Sequence, residues 1–239
     1  MIKSLLTGFI SRYTINKIDS VAWEVASKKL KTRFISDDKS MIGEVTLLDF
    51  KSDEMDGSKL GIFKTAQLSK LFGVLEDDVA LSLNKIGDKL VSVKLNDHKT
   101  KINYALSDLA IIPHVPAMKY VPKEFEVVVK VDSELADTFL RAKSALPEVV
   151  TFCVDTDGSS ARIILGQTDV NTNTVTLTVE TSTNKKIERM HFNAEIFADI
   201  LSANKDCPTE FEISSEGIAR MKFETKEYVS LYYLVAKKG

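Results

Sequence analysis

Little in this chain could stitch the fold together or hold a metal. Its 239 residues include only 2 cysteines, 3 histidines, 5 prolines and 10 glycines. Cys153 sits in an alternating apolar stretch and Cys207 just beyond a helical one, which gives neither metal-ligand spacing nor a disulfide framework. His98, His114 and His191 are isolated, with no cysteine or carboxylate at ligand spacing, so neither a zinc site nor a nucleophilic triad is indicated. No glycine-rich phosphate loop is present, and no cofactor is expected. No apolar run approaches the roughly 18 residues of a membrane span, and residues 1–13 are amphipathic rather than the apolar block of a signal peptide, so a cytoplasmic protein without membrane contact is expected. Charge of one sign is also missing. With 32 basic and 34 acidic residues the net charge is −2, and attraction to nucleic acid has to come from local segregation of charge.

An internal repeat is the strongest positive signal. Residues 63–108 and 192–238 each open on Phe, run one amphipathic helical stretch, and continue as three alternating stretches of which the first two are joined at a Gly. Phe63 aligns with Phe192, Leu68 with Phe197, Leu71 with Ile200, Phe72 with Leu201, Gly87 with Gly217, Val93 with Phe223 and Tyr104 with Tyr233. A duplicated helix-and-sheet unit without catalytic residues points to architecture rather than chemistry.

Two further helices complete the set. Leu5, Leu6, Phe9, Ile10 and Tyr13 share one face of a helix over 4–13, and Leu135, Phe139, Ala142 and Leu146 mark another that Asp132-Ser133 caps and Pro147 stops. Leu68, Leu71, Phe72 and Leu75 predict a helix over about 65–75 with Thr65 as its cap. In the second copy Asn193 is the cap and Phe192 is placed to staple onto Phe197. Residues 112–122, IPHVPAMKYVP, hold three of the five prolines and cannot be a central strand. The expected organisation is an N-terminal domain over 1–112, a connector over 113–123 and a C-terminal domain over 124–239, each domain built from two helix-plus-strands units.

Four such units, a proline-containing connector and a C-terminal strand LYYLVAKK over 231–238, preceded by FET at 223–225, resemble the DNA sliding clamps of the proliferating cell nuclear antigen family. Size and the divergent first half look more like the trimeric clamps of tailed bacteriophages. The resemblance implies an α+β clamp fold: two similar domains, each with two helices packed on antiparallel sheets, assembled as a homotrimeric ring. It implies no enzyme. The function implied is that of a processivity factor, which encircles duplex DNA without reading sequence and tethers a DNA polymerase and other partners. An ATP-dependent clamp loader would open the ring, in the cytoplasm of an infected bacterial host if the chain is phage-encoded.

Residue roles follow from the same resemblance. DNA-facing candidates on polar helix faces are Lys3, Arg12, Lys64, Lys70, Arg141, Lys143 and Lys205. Glu195 and Asp199 depart from a uniformly basic lining, for which Lys185, Lys186 and Arg189 would compensate if they lie nearby. The stretches 101–107 and 174–181 match the edge strands that pair between subunits, with Ile102, Tyr104, Leu106, Val175, Leu177 and Val179 as the interface residues. Val115, Met118, Tyr120, Leu234, Val235 and Ala236 match the pocket that docks apolar partner peptides.

Three other patterns carry less. Asp169, Asn171, Asn173 and Glu180 imitate a calcium loop, but Thr174 stands where the turn needs Gly. Asp37, Asp38, Asp53, Glu54 and Asp56 would be the carboxylates of a metal-dependent hydrolase, yet all fall in turn or loop sequence. A monomeric single-strand nucleic-acid-binding module would need aromatic platforms on a basic sheet, whereas the aromatics here fall mostly at core spacing.

Overall fold

A computed structural model describes residues 3–118, 120–166, 173–205 and 207–237, the side chain of Asp53 excepted. Its contacts gather into two compact units. The first comprises Met1–Ile35, Gly43–Val115 and Glu224–Ser230, and the second Ser36–Ile42, Pro116–Phe223 and Leu231–Gly239. The change of unit between Val115 and Pro116 falls inside the proline-rich segment. Two short segments follow their hydrogen bonds rather than their place in the sequence. Ser40 accepts from the amide of Val235 at 2.8 Å, within the second unit, and Leu48 donates to Glu227 at 2.7 Å, within the first.

The first unit contains α1 (Lys3–Tyr13), β1 (Ser20–Ala26), β2 (Lys29–Ile35), β3 (Met41–Leu47), β4 (Lys59–Phe63), α2 (Thr65–Val74), β5 (Ala80–Ile86), β6 (Lys89–Asn96) and β7 (Lys101–Ala105). Strands order as β3-β2-β1-β4 and β5-β6-β7, all antiparallel in the registers Trp23↔Thr32, Trp23↔Leu60, Leu83↔Val93 and Val93↔Tyr104. Strict alternation in β1 to β3 puts Val21, Trp23, Val25, Leu30, Phe34, Val45 and Leu47 inward. They meet Leu6, Phe9, Ile10 and Tyr13, the buried stripe of α1. Phe9 packs edge-on against both Tyr13 and Trp23, and Tyr13 accepts a hydrogen bond from Trp23 Nε1 at 3.2 Å. Burial pushes the Tyr13 hydroxyl well above the ordinary tyrosine range.

The second unit contains β8 (Val127–Val131), α3 (Ser133–Ala145), β9 (Thr151–Thr156), β10 (Ala161–Leu165), β11 (Val175–Val179), β12 (Thr181–Asn184), β13 (Met190–Asn193), α4 (Ala194–Ala203), β14 (Thr209–Ile213), β15 (Ile218–Glu224) and, from Leu231 on, β16 (Tyr228–Val235), whose first residues, Tyr228 to Ser230, belong to the first unit. Its strands order as β12-β8-β14-β15-β16 and β11-β10-β9-β13. The core is an aromatic cluster: Phe139 of α3 and Phe197 of α4 lie 4.8 Å apart between ring centres, and Phe152, Phe192 and Phe211 close around them. Removing one such ring costs about 3–5 kcal/mol.

Helix starts show which local signals act. Asp132 accepts from Leu135 N at 2.9 Å and Asn193 from the amides of Glu195 and Ile196 at 3.0 Å, so both expected caps form. Phe192 and Phe197 meet through their shared neighbours Phe152 and Phe211. Thr65 is not the cap of α2. It is the first helical residue, and its amide and hydroxyl donate to the Asp19 carbonyl at 2.9 and 3.0 Å, while Asp19 Oδ1 accepts from Ala66 N at 3.0 Å. The preceding Lys64 is left-handed, with φ +59°. Gly87 and Gly217 close the β5-β6 and β14-β15 turns with positive φ, as their aligned positions predict.

Two aligned pairs do not share an environment. Phe192 is fully buried, whereas Phe63 is 44% exposed. Tyr104 faces inward, but in β16 Tyr228, Ser230, Tyr232 and Leu234 take the inward side, so Tyr233 faces outward. The repeat is therefore out of step by one residue at its last strand, and in a strand one residue reverses the face.

Candidate nucleic-acid and subunit interfaces

Helices α1 and α2 pack together in the first unit, and their sequences, KSLLTGFISRY and TAQLSKLFGV, contain no acidic residue. Lys70 projects, exposed, from α2. Lys3 donates from Nζ to the Leu75 carbonyl at 2.6 Å, where a cation complements the C-terminal end of α2. Arg12 donates to Gly8 O at 2.8 Å and lies 4.1 Å over the ring of Tyr228, whose hydroxyl donates to Leu5 O at 2.8 Å. Both charges are held in place rather than free to roam, and both remain half-buried. Lys64 does not sit on the helix face: it precedes α2, with Nζ 5.6 Å from the ring centre of Phe63.

The helices of the second unit are mixed in sign. On α3, Arg141 donates to Thr138 Oγ1 at 3.2 Å and Lys143 to Pro147 O at 3.0 Å, among Glu134 and Asp137. Lys205 lies 3.7 Å from Asp137. On α4 the charges are Glu195 and Asp199, with no base. Lys185 and Arg189 are engaged by Glu124 and Asp155 respectively, which leaves them a poor balance for the acids of α4.

Each unit ends one sheet in an edge strand named by the resemblance: β7 in the first and β11 in the second. On β7 the exposed residues are Lys101, Asn103 and Ala105, while Ile102 is half-buried. Tyr104 is 5% exposed, and its hydroxyl bonds the backbone of Phe63, so its side chain is mostly committed to the core. Leu106, just past the strand, is half-buried. On β11, Val175 and Leu177 are half-buried, Val179 is buried, and Thr176 and Thr178 face out. A groove of about 670 Å³ runs beside β11, lined among others by Asp132, Glu134, Leu135, Leu177 and Val179. A smaller hollow of about 370 Å³ lies beside β7, against Phe63, Lys64, Gln67, Leu71 and Leu106.

Of the peptide-pocket candidates, Val115, Met118 and Ala236 are half-buried, and Tyr120 is exposed with its hydroxyl donating to Glu216 at 2.7 Å. Val235 is 45% exposed. Leu234 is 1% exposed: the alternation of β16 turns it into the core and removes it from any peptide-accessible surface.

The loop carboxylates organise turns. Asp38 accepts from Ser36 Oγ at 2.7 Å and Ser40 Oγ at 2.6 Å, and Asp56 accepts from Ser27 N at 2.9 Å. Asp169 and Asn171 lie outside the described residues, as does the side chain of Asp53; Glu180 lies 3.7 Å from Lys130. Among the described residues no group of three or more His, Cys, Asp or Glu gathers as a metal site would require, and no helix is long and apolar enough to cross a membrane. Exposed aromatic rings of size, Phe63 and Tyr120, stand in different units rather than as a stacking row.

No protein-family model matches the chain, and no curated protein matches it in sequence. Solved structures do match in fold. Proliferating cellular nuclear antigen from Entamoeba histolytica superposes with a TM-score of 0.75 at 15% identity, over 99% of this chain and 96% of that one. A. fulgidus PCNA, in a structure with the C-terminal region of FEN-1 bound, superposes with a TM-score of 0.75 at 13% identity, over 100% of this chain and 97% of that one. The fold, antiparallel sheets carrying four helices, is PCNA-like.

Proposed function

We propose that this chain is a sliding clamp: three copies close head to tail into a ring around duplex DNA and hold a polymerase on its template. The carrying observation is the acid-free pair α1 and α2 on a PCNA-like fold. A ring that tracks DNA needs modest positive charge toward phosphates and no base readout, because strong contacts would arrest sliding. Closed cyclic assembly needs two different patches on each copy, and the edge strands β7 and β11 supply one in each unit. Pairing them would also hide edges that otherwise invite aggregation. The exposed apolar side chains Tyr120 and Val235, with Met118 and Ala236, are the docking surface for a partner's apolar segment. A separate ATP-driven loader would open the ring. Its assembly from three chains follows the tailed-bacteriophage type.

The test has two parts. Sedimentation equilibrium should give three times the chain mass of 26.6 kDa. Protein loaded on circular duplex DNA should survive high salt and leave once the DNA is linearised. Equal loss from circular and linear DNA would reject topological linkage.

A further inference from the structure

We propose that Phe63 and Lys64 form an anchor that seats in the groove between β11 and the first turn of α3 on a second copy of this chain. This inference rests on the ring reading and adds to strand pairing the side chains that would fix it.

The anchor is built rather than incidental. Phe63 ends β4 with its ring 44% exposed, although its backbone N–H and C=O are both bound by the buried Tyr104 hydroxyl. A large aromatic on a fixed backbone loses little conformational entropy when covered, which is why such side chains dominate interfaces. Lys64, left-handed at φ +59°, turns the chain into α2 and lays its ammonium 5.6 Å from the same ring. The other residues of the adjoining hollow include Gln67, Leu71, Asn103 and Leu106 but no carboxylate. Asp19, near the start of α2, is engaged by the Ala66 amide.

The groove has the opposite character. Val131, Leu135, Leu177 and Val179 give it apolar patches among the hydroxyls of Thr138, Thr176, Thr178 and Thr209, and Asp132, Glu134 and Glu180 border it against a single base, Lys130. Asp132 is occupied as the cap of α3, and Glu180 lies 3.7 Å from Lys130. Glu134, exposed in the first turn of α3, is the carboxylate best placed to receive an incoming ammonium. An aromatic-plus-cation ridge thus complements a part-apolar, acid-rimmed groove, and both border the edge strands already proposed to pair. Two other occupants, a foreign basic peptide or nothing, are answered by the experiment. The assignment moves Lys64 from a DNA contact to a subunit contact.

The experiment measures the self-association of the full chain without DNA, by sedimentation equilibrium. Wild type, F63A, K64E, E134K and the K64E/E134K swap are compared, with far-UV circular dichroism to confirm folding. All three positions are exposed, so the variants are expected to keep the fold. The expected result is a trimer for wild type and a dissociation constant raised on the order of tenfold by F63A, K64E or E134K. The swap should recover most of the loss. A wild-type trimer whose association none of the three substitutions weakens would overturn the anchor and leave the ring reading standing, as would single losses that the swap fails to recover. A wild-type chain that stays monomeric at all concentrations would overturn the ring reading, and the anchor with it.

Discussion

The Tyr104 hydroxyl spans both backbone polar groups of Phe63, accepting from its N–H at 3.1 Å and donating to its carbonyl. A buried side chain of β7 thereby fixes the last residue of β4. Y104F removes both bonds and should lower unfolding free energy by about 1–2 kcal/mol, with weaker self-association as the Phe63 ring loses its fixed direction. Burial, the largest cause, pushes this hydroxyl from 10.0 up to about 12. Its folded-state value is raised, so its contribution is fully present below pH 10 and is lost as pH rises through about 12. Thermal melts of wild type and Y104F should converge across that window; a constant gap would contradict the assignment.

Asp97 ties two loops together. Its carboxylate accepts from the amides of Glu76 at 2.7 Å and Lys99 at 2.8 Å, and these backbone bonds hold its pKa down near 2. A depressed carboxylate stabilises the fold above its ordinary value and stops doing so as pH falls through the folded one. D97A should therefore melt below wild type at pH 7, and the difference should vanish as pH approaches about 2. A difference that is independent of pH would point to packing instead.

Gly43 of β3 faces the ring of Phe34, and a Cβ added there would lie 2.2 Å from ring carbons that are themselves buried. No far end of a flexible chain is available to yield. G43A should cost about 1–3 kcal/mol by overpacking, measured by urea unfolding. Restoring room with F34L in the same background should recover part of it.

Lys70 carries exposed charge on the acid-free face, whereas Glu195 stands on the α4 face that has no base. K70Q should weaken binding to duplex DNA uniformly across sequences and reduce the log-salt slope by about 0.9 for each phosphate no longer neutralised. E195Q should leave the slope unchanged or steepen it slightly. Fluorescence anisotropy across a salt series separates the two.

Periodicity is enough to place the helices, and local capping chemistry reads two of their starts: α1 differs by one residue from the 4–13 stretch, and Asp132 and Asn193 cap as their sequences require, whereas Thr65 does not cap α2. Both glycine turns are equally plain, because only glycine adopts their backbone freely. What stays hidden in the sequence depends on partners distant along it. Phe63 aligns with a core phenylalanine, and only the folded structure shows that it stays 44% exposed while Tyr104 holds its backbone. Leu234 and Tyr104 resemble interface residues until strand parity is known, and parity shifts with a single residue. The groove beside β11 draws on α3, β8 and β11 at once, so no local pattern announces it.

The start of α2 has a consequence for the order in which the chain folds. Helices α3 and α4 carry their caps on the adjoining residue, so a short peptide containing either holds its own nucleation signal. Helix α2 takes its cap from Asp19, 46 residues upstream, reached only once β1 and β4 have paired Ser20 with Phe63. Loop closure has to precede helix completion there. The first unit should consequently acquire α2 late and lose it early, which makes the element that carries Lys70 and follows the Phe63-Lys64 ridge more readily melted than α3 or α4.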